Sequence, residues 1–225
     1  MTNHYTLDQL NDFPWIVSTD TLRPEDLLPK FWSAAETCAV LLDRPQLLNP
    51  GTLDSLTKLV GEDSSESDWD DNEASETLQE LFEALNDVAP AAFYFGASDD
   101  DGACFGFWLD ESWGEALQLF GLGDDDPTGW ASLIAELEQD GIDCDNFSAA
   151  YCGEAEGYEE EIAGANYAAQ LAEDLSPSFE LDRTGSIPWP FRHVDWNAAW
   201  RELQIGDGYR LHRISGETWA VFRSV

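Results

Sequence analysis

Carboxylates are the residues of this sequence with chemistry to offer, and their distribution decides which chemistry that is. Of its 46 Asp and Glu residues, 34 fall between residues 59 and 182, a stretch that contains no lysine and no arginine. Residues 1–58 hold eight acids against four bases and residues 183–225 hold four against six, so the three segments carry −4, −34 and +2. Two carboxylates can act as acid and base in a hydrolase, but among so many a pair identifies nothing. Asp99, Asp100 and Asp101 could attract calcium, yet the calcium-loop spacing and its distal glutamate are absent. The chain has no phosphate-binding glycine loop, no H-E-x-x-H and no G-x-S-x-G, and His193 with Asp195 makes a weak pair. Cys38, Cys104, Cys144 and Cys152 show no metal-ligand spacing and read as reduced, packed thiols. The expectation is a protein without catalytic residues, metal or cofactor.

The spacing of the acids points instead to a charged surface. In 73–89, Leu78, Leu81, Phe82, Leu85 and Val88 recur at helical spacing. Glu73, Glu76, Glu80, Glu83 and Asp87 are spaced 3, 4, 3, 4, which puts them on the opposite face of that helix. At a rise of about 1.5 Å per residue, one charge falls roughly every 5 Å. DNA carries one phosphate per about 3.4 Å on each strand, so the two densities are of the same order. A charged stripe is ordinarily only a solvated helix face, but such faces usually mix Glu with Lys because like charges at i,i+4 repel. Self-repulsion over a stretch without counter-charge costs stability, which suggests a use. The other candidates for a partner-binding surface are Asp99–Asp101, Asp124, Asp125, Asp126, Glu136, Glu138, Asp140, Glu154, Glu156, Glu159, Glu160, Glu161, Glu173 and Asp174.

The elements that must position these acids can be read along the chain. Residues 1–58 read as helical, with a helix over 25–42 whose first turn Pro29 should break and another over 52–60. Residues 61–75 form a polar loop or a lead into the acidic helix, and Trp69 within it is either a contact residue or locally packed. The aromatic runs 91–96 and 103–109 flank SDDDG and read as a β-hairpin. Ser112 with Glu115 fits a capping box for a helix stopping near Gly121. Asp126-Pro127 opens a helix burying Trp130, Leu133, Ile134 and Leu137, closed by Gly141. Residues 142–151 read as partly extended. A long helix over 154–175 should turn Tyr158, Ile162, Ala165, Ala169, Leu171 and Leu175 inward. Asp195 should cap a helix carrying Trp196, Ala199, Trp200 and Leu203, followed by a closing hairpin over 209–214 and 218–223. The fold class expected is α+β, mostly helical with small antiparallel β-hairpins or sheets and an acidic surface. The division expected is an N-terminal helical region, 1–90, and an acidic α+β domain, 91–225.

The tail PWPFRHVDWNAAWRELQIGDGYRLHRISGETWAVFRS, 188–224, resembles the C-terminal end of ArdA-type antirestriction proteins. An aromatic-Asp-Tyr segment there leads into an alanine-rich helix ending Arg-Asp-Leu and then a hairpin; VDWNAAWREL holds that place here, with Arg201-Glu202-Leu203 for Arg-Asp-Leu. The likeness covers roughly residues 145–225, including the acidic helix around 158–175. It implies a cytoplasmic DNA mimic, often dimeric, that occupies the DNA groove of type I restriction–modification enzymes. The partner expected is such an enzyme, or another DNA-binding protein with a basic cleft. An acidic adaptor or chaperone for a basic protein, such as a nucleoid protein or nuclease, is the other reading of the same charge. A net charge of −36 disfavours direct binding to nucleic acid or to anionic membranes. The opening MTNHYTLDQL has neither the basic nor the apolar region of a signal peptide, and no apolar run reaches membrane-spanning length, so a cytoplasmic location is expected.

Overall fold

The computed structural model describes residues 3, 5–19, 21–45, 49–60, 70–117, 127–175 and 193–224. These form helices and two three-stranded antiparallel sheets, an α+β fold, and divide into two compact units, Met1–Ile134 and Ala135–Val225. The division differs from the one expected near residue 90. Strand β1 (Ile16–Ser18) pairs with β3 (Phe105–Leu109), which also pairs with β2 (Phe93–Ala97). Backbone hydrogen bonding thereby ties the aromatic hairpin to the N-terminal segment, a long-range pairing that hydrophobic spacing does not reveal.

In the first unit, α1 (Leu7–Asn11) is closed by a capping box between Thr6 and Gln9. Helix α2 (Pro24–Leu41) starts with proline at its first position and runs on through Pro29. The break expected there does not occur. One backbone hydrogen bond is forgone near the N-terminal end, while Leu27, Leu28, Phe31 and Trp32 around it are all buried and hold the turn by packing. Helix α3 (Pro50–Val60) and α4 (Asp71–Asp87) follow. Paired strand residues share a face, so Phe95 and Phe107 point together into the core. There Phe31 meets Phe95 edge-on at 5.0 Å and Phe82 meets it at 5.2 Å. Asn86 closes the exposed edge of β2, accepting from Phe95 N at 3.0 Å and donating to Phe95 O at 3.1 Å. Helix α5 (Glu111–Leu117) begins earlier than a cap at Ser112 would place it. Asp110 is the cap, taking the Ser112 amide at 2.9 Å and the Ser112 hydroxyl. Helix α6 (Pro127–Gln139) buries Trp130, Leu133, Ile134 and Leu137 as expected, and Gly141 closes it at φ +79°.

The second unit is a sheet ordered β4 (Tyr151–Glu156), β6 (Thr218–Arg223), β5 (Tyr209–Ser215). The expected helix over 154–175 is shorter, because 151–156 pairs with β6 as a strand and α8 (Glu160–Leu175) starts only at Glu160. Of the segment 142–151, expected to be partly extended, only Tyr151 is strand, and Phe147–Ala150 forms a short helix, α7. The inward face of α8 also differs from expectation: Tyr158 is 62% and Leu175 75% exposed, while Ala163, Gly164, Tyr167 and Ala168 are buried. The reason is α9 (Trp196–Gly206), capped by Asp195 as expected. Its Trp200 lies so close to Gly164 that a Cβ there would fall 2.4 Å from the indole. The missing side chain at Gly164 admits that ring, with Tyr167 beside it meeting Trp200 edge-on, and this contact sets the phase of α8. Trp200, Tyr167, Tyr209, Leu211 and Val221 form the core on this side of the sheet, with Trp196 partly buried against it. On the other side Phe222 meets Phe147 at 5.3 Å.

Of the earlier expectations, those on Trp69, Asp124, Asp125, Asp126, the helix end near Gly121 and the SIPWPF segment lie outside the described residues.

Candidate functional site

The α4 stripe is present but not uniform. Asp70 caps the helix, accepting from the amides of Asn72 and Glu73 at 2.9 and 3.1 Å, and those two bonds hold its carboxyl below the usual range. Glu73 is ion-paired with Lys58 of α3, just outside the uncompensated stretch. Glu80 accepts from the hydroxyl of buried Thr52 at 2.6 Å. Glu76, Glu83 and Asp87 are exposed, and no described basic side chain lies within ion-pair distance of them. The five spaced acids therefore divide into two that help hold α3 against α4 and three that face water. Asp87 lies in the last turn of α4, where no basic residue offsets it, and the helix dipole there opposes negative charge. Folding does not account for that placement.

At the hairpin, Asp99, Asp100 and Asp101 are exposed. Asp101 accepts the Ala103 amide at 3.0 Å, closing the turn. Among the described residues no group of three or more His, Cys, Asp or Glu side chains could hold a metal ion. The phenol of Tyr94 is pushed upward, first by burial and then by the charges of Asp99, Asp110 and Glu111.

In the second unit, Glu138 is half-buried, and Glu136 and Asp140 are not simply outward. They flank His212 of β5, which is 6% exposed, with Glu136 Oε2 3.1 Å from Nδ1 and Asp140 Oδ2 3.1 Å from Nε2. The Asp140 contact has ion-pair distance, but its direction does not make a hydrogen bond. The sequence carries no signal for His212: in YRLHRI it sits next to buried Leu211 as one polar residue of a strand. Register with Ala220 places His212 in the sheet, and Glu136 in the last turn of α6 and Asp140 just after it supply the flanking carboxylates.

Glu154 and Glu156 are exposed on β4, spaced two apart on one face of the strand. Glu160 and Glu161 occupy the first turn of α8 and Glu159 precedes it; all three are exposed where the helix dipole favours them. Glu173 and Asp174 are exposed in the last turn, without a basic neighbour there and against the dipole. His193 and Asp195 are exposed, and Asp195 is engaged as the α9 cap at 3.1 Å from Ala198 N. The four cysteines are free thiols, but they are not all packed: Cys38 is buried, which pushes its thiol up to about 12, while Cys152 is exposed on β4. No described helix is long and apolar enough to cross a membrane.

Comparison with protein-family models, with curated proteins and with solved structures finds no match for this chain.

Proposed function

We propose that the protein is a non-catalytic DNA mimic of the cytoplasm, which inhibits a DNA-binding enzyme by occupying its basic cleft. A type I restriction–modification complex is the first target to test. The observation that supports this most is the set of exposed carboxylates without counter-charge on each unit, with Asp87, Glu173 and Asp174 placed at helix ends that disfavour them. Charge that lowers stability and is not used by the fold is available to a partner. DNA offers its proteins many phosphates of modest individual worth, and a surrogate should share that spread.

The test is a competition assay, in which a purified type I restriction–modification enzyme on labelled DNA is titrated with the protein at low and moderate salt. Mimicry requires displacement of DNA that weakens steeply as salt rises. Single substitutions such as Glu76→Gln should weaken displacement about twofold, as expected of one exposed charge in a high-dielectric setting. Grouped substitutions should weaken it progressively. If one carboxylate carried nearly the whole effect, a discrete site would replace the mimic reading. Binding that leaves the enzyme on its DNA would favour the adaptor.

A further inference from the structure

The first unit contains a cavity of about 450 Å³ that the acidic surface does not explain. Its volume is within the range of small-molecule sites, roughly 300–1,000 Å³. The walls include Trp15, Tyr94, Trp108 and Trp130, and Asp99 and Asp100 also line it. None of the described lining residues is basic.

The backbone builds this space. Tyr94 and Trp108 are directly opposed on β2 and β3, on the face of the hairpin turned away from the Phe95–Phe107 core. Next to them Gly96 opposes Gly106. A Cβ at Gly96 would fall 3.0 Å from the Tyr94 ring, and one at Gly106 would fall 3.2 Å from the Trp108 ring and 2.5 Å from Trp15 O. Two opposed glycines thus let aromatic rings lie close over bare strand. The indole N–H groups are already used: Trp15 donates to Leu10 O at 3.2 Å and Thr128 Oγ1 at 3.1 Å, and Trp108 donates to Gly96 O at 2.9 Å. Trp15, Tyr94 and Trp108 remain only half-buried, so their ring faces, together with the Tyr94 phenol, are left for an occupant. An aromatic face carries the negative lobe of the ring quadrupole, which attracts cations. The two aspartates add full negative charge, and carboxylate charge is already felt at the Tyr94 phenol.

We infer that this cavity binds a flat organic cation, its rings stacked among the aromatic walls and its charge toward Asp99 and Asp100. The inference goes beyond mimicry: it shares Asp99 and Asp100 with the acidic surface proposed there but rests on the aromatic enclosure.

The probe is N-methylacridinium, compared with acridine, which is uncharged at about pH 8, in about 0.15 M salt to screen the diffuse attraction of the protein's charge. Titration followed by tryptophan quenching and calorimetry should give saturable binding of one equivalent, about tenfold tighter for the cation than for acridine. Asp99→Asn with Asp100→Asn, both exposed and so compatible with folding, should weaken the cation about fivefold and leave acridine unchanged. Trp108→Leu should weaken both. Glu76→Gln with Glu83→Gln and Asp87→Asn should leave both unchanged. The inference is overturned by unsaturable uptake, by equal affinity for the two probes, or by an α4 variant that weakens the cation as much as the Asp99/Asp100 variant does. DNA competition is assayed separately, so failure of cation binding and failure of mimicry are read from different measurements.

Discussion

Neutralising only the water-facing acids of α4, as Glu76→Gln, Glu83→Gln and Asp87→Asn together, should make the protein more stable while making it a poorer competitor of DNA. Four like-charge neighbours line that helix at i,i+3 or i,i+4: Glu73–Glu76, Glu76–Glu80, Glu80–Glu83 and Glu83–Asp87. Each of the four includes a substituted residue, so the triple variant removes them all. Like-charge pairs at this spacing destabilise by roughly 0.2–0.5 kcal/mol each, which totals about 1–2 kcal/mol. Relief of Asp87 from the C-terminal dipole adds about 0.3–1 kcal/mol. The Lys58–Glu73 ion pair and the Thr52–Glu80 hydrogen bond are left in place, and the Gln79 amide can still donate to a glutamine oxygen at position 83. In buffer of about 0.01 M ionic strength the melting temperature should rise by about 3–6 °C. In about 0.1 M salt the gap should narrow, because screening gives the parent part of the same relief. Circular dichroism melts at the two ionic strengths measure this, and the competition assay should show a loss of about five- to tenfold. A triple variant that melts with or below the parent at low salt would show that the stripe is not under repulsive strain. Its charge would then need no partner to account for it.

Other substitutions test the packing. Gly164→Ala gains about 1 kcal/mol in helix propensity, but its Cβ meets Trp200 at 2.4 Å and overpacking costs typically 1–3 kcal/mol. Urea unfolding should show a net loss of about 1–2 kcal/mol. Gly114→Ala on α5 meets nothing within 4 Å and should instead be neutral or stabilising by up to about 1 kcal/mol. Trp200→Ala, at 3% exposure, should cost about 3–5 kcal/mol; Trp196→Ala, partly buried, should cost less, and the reverse order in urea melts would place Trp196 at the centre of the core. Asp70 has a folded-state pKa held below the ordinary carboxylate value by the Glu73 and Asn72 amides. Its stabilisation is therefore full above about pH 4 and lost as pH falls through the depressed folded value. Asp70→Ala should melt below the parent at about pH 7 and converge with it in stronger acid, whereas a gap that persists there would assign the cap to something other than the charged carboxylate.

How much of this was legible from residues alone follows from which interactions are local. The alternation of apolar and acidic positions over 73–89 predicts α4 because helical periodicity is a property of consecutive residues, and Leu81 and Leu85 are buried as that pattern requires. The same locality makes the Phe93–Leu109 hairpin, the Pro127 helix start, the Asp195 cap and the closing hairpin readable in advance. Charge counting, too, needs no coordinates. What the sequence could not supply were pairings between distant segments. The last three residues of β4, 154–156, lie inside what periodicity reads as helix, because backbone bonding to β6, more than sixty residues away, outweighs local preference. The inward face of α8 differs from the periodic reading because Trp200, a residue of a distant helix, seats against Gly164 and Tyr167. Of five regularly spaced acids, Glu73 and Glu80 are drawn to α3 by Lys58 and Thr52, a distinction invisible in their spacing. His212 between Glu136 and Asp140, and the aromatic cavity lined by Trp15, Tyr94, Trp108 and Trp130, exist only where elements distant in the chain meet. Periodicity determines which residues share a face; chain crossing determines what that face meets.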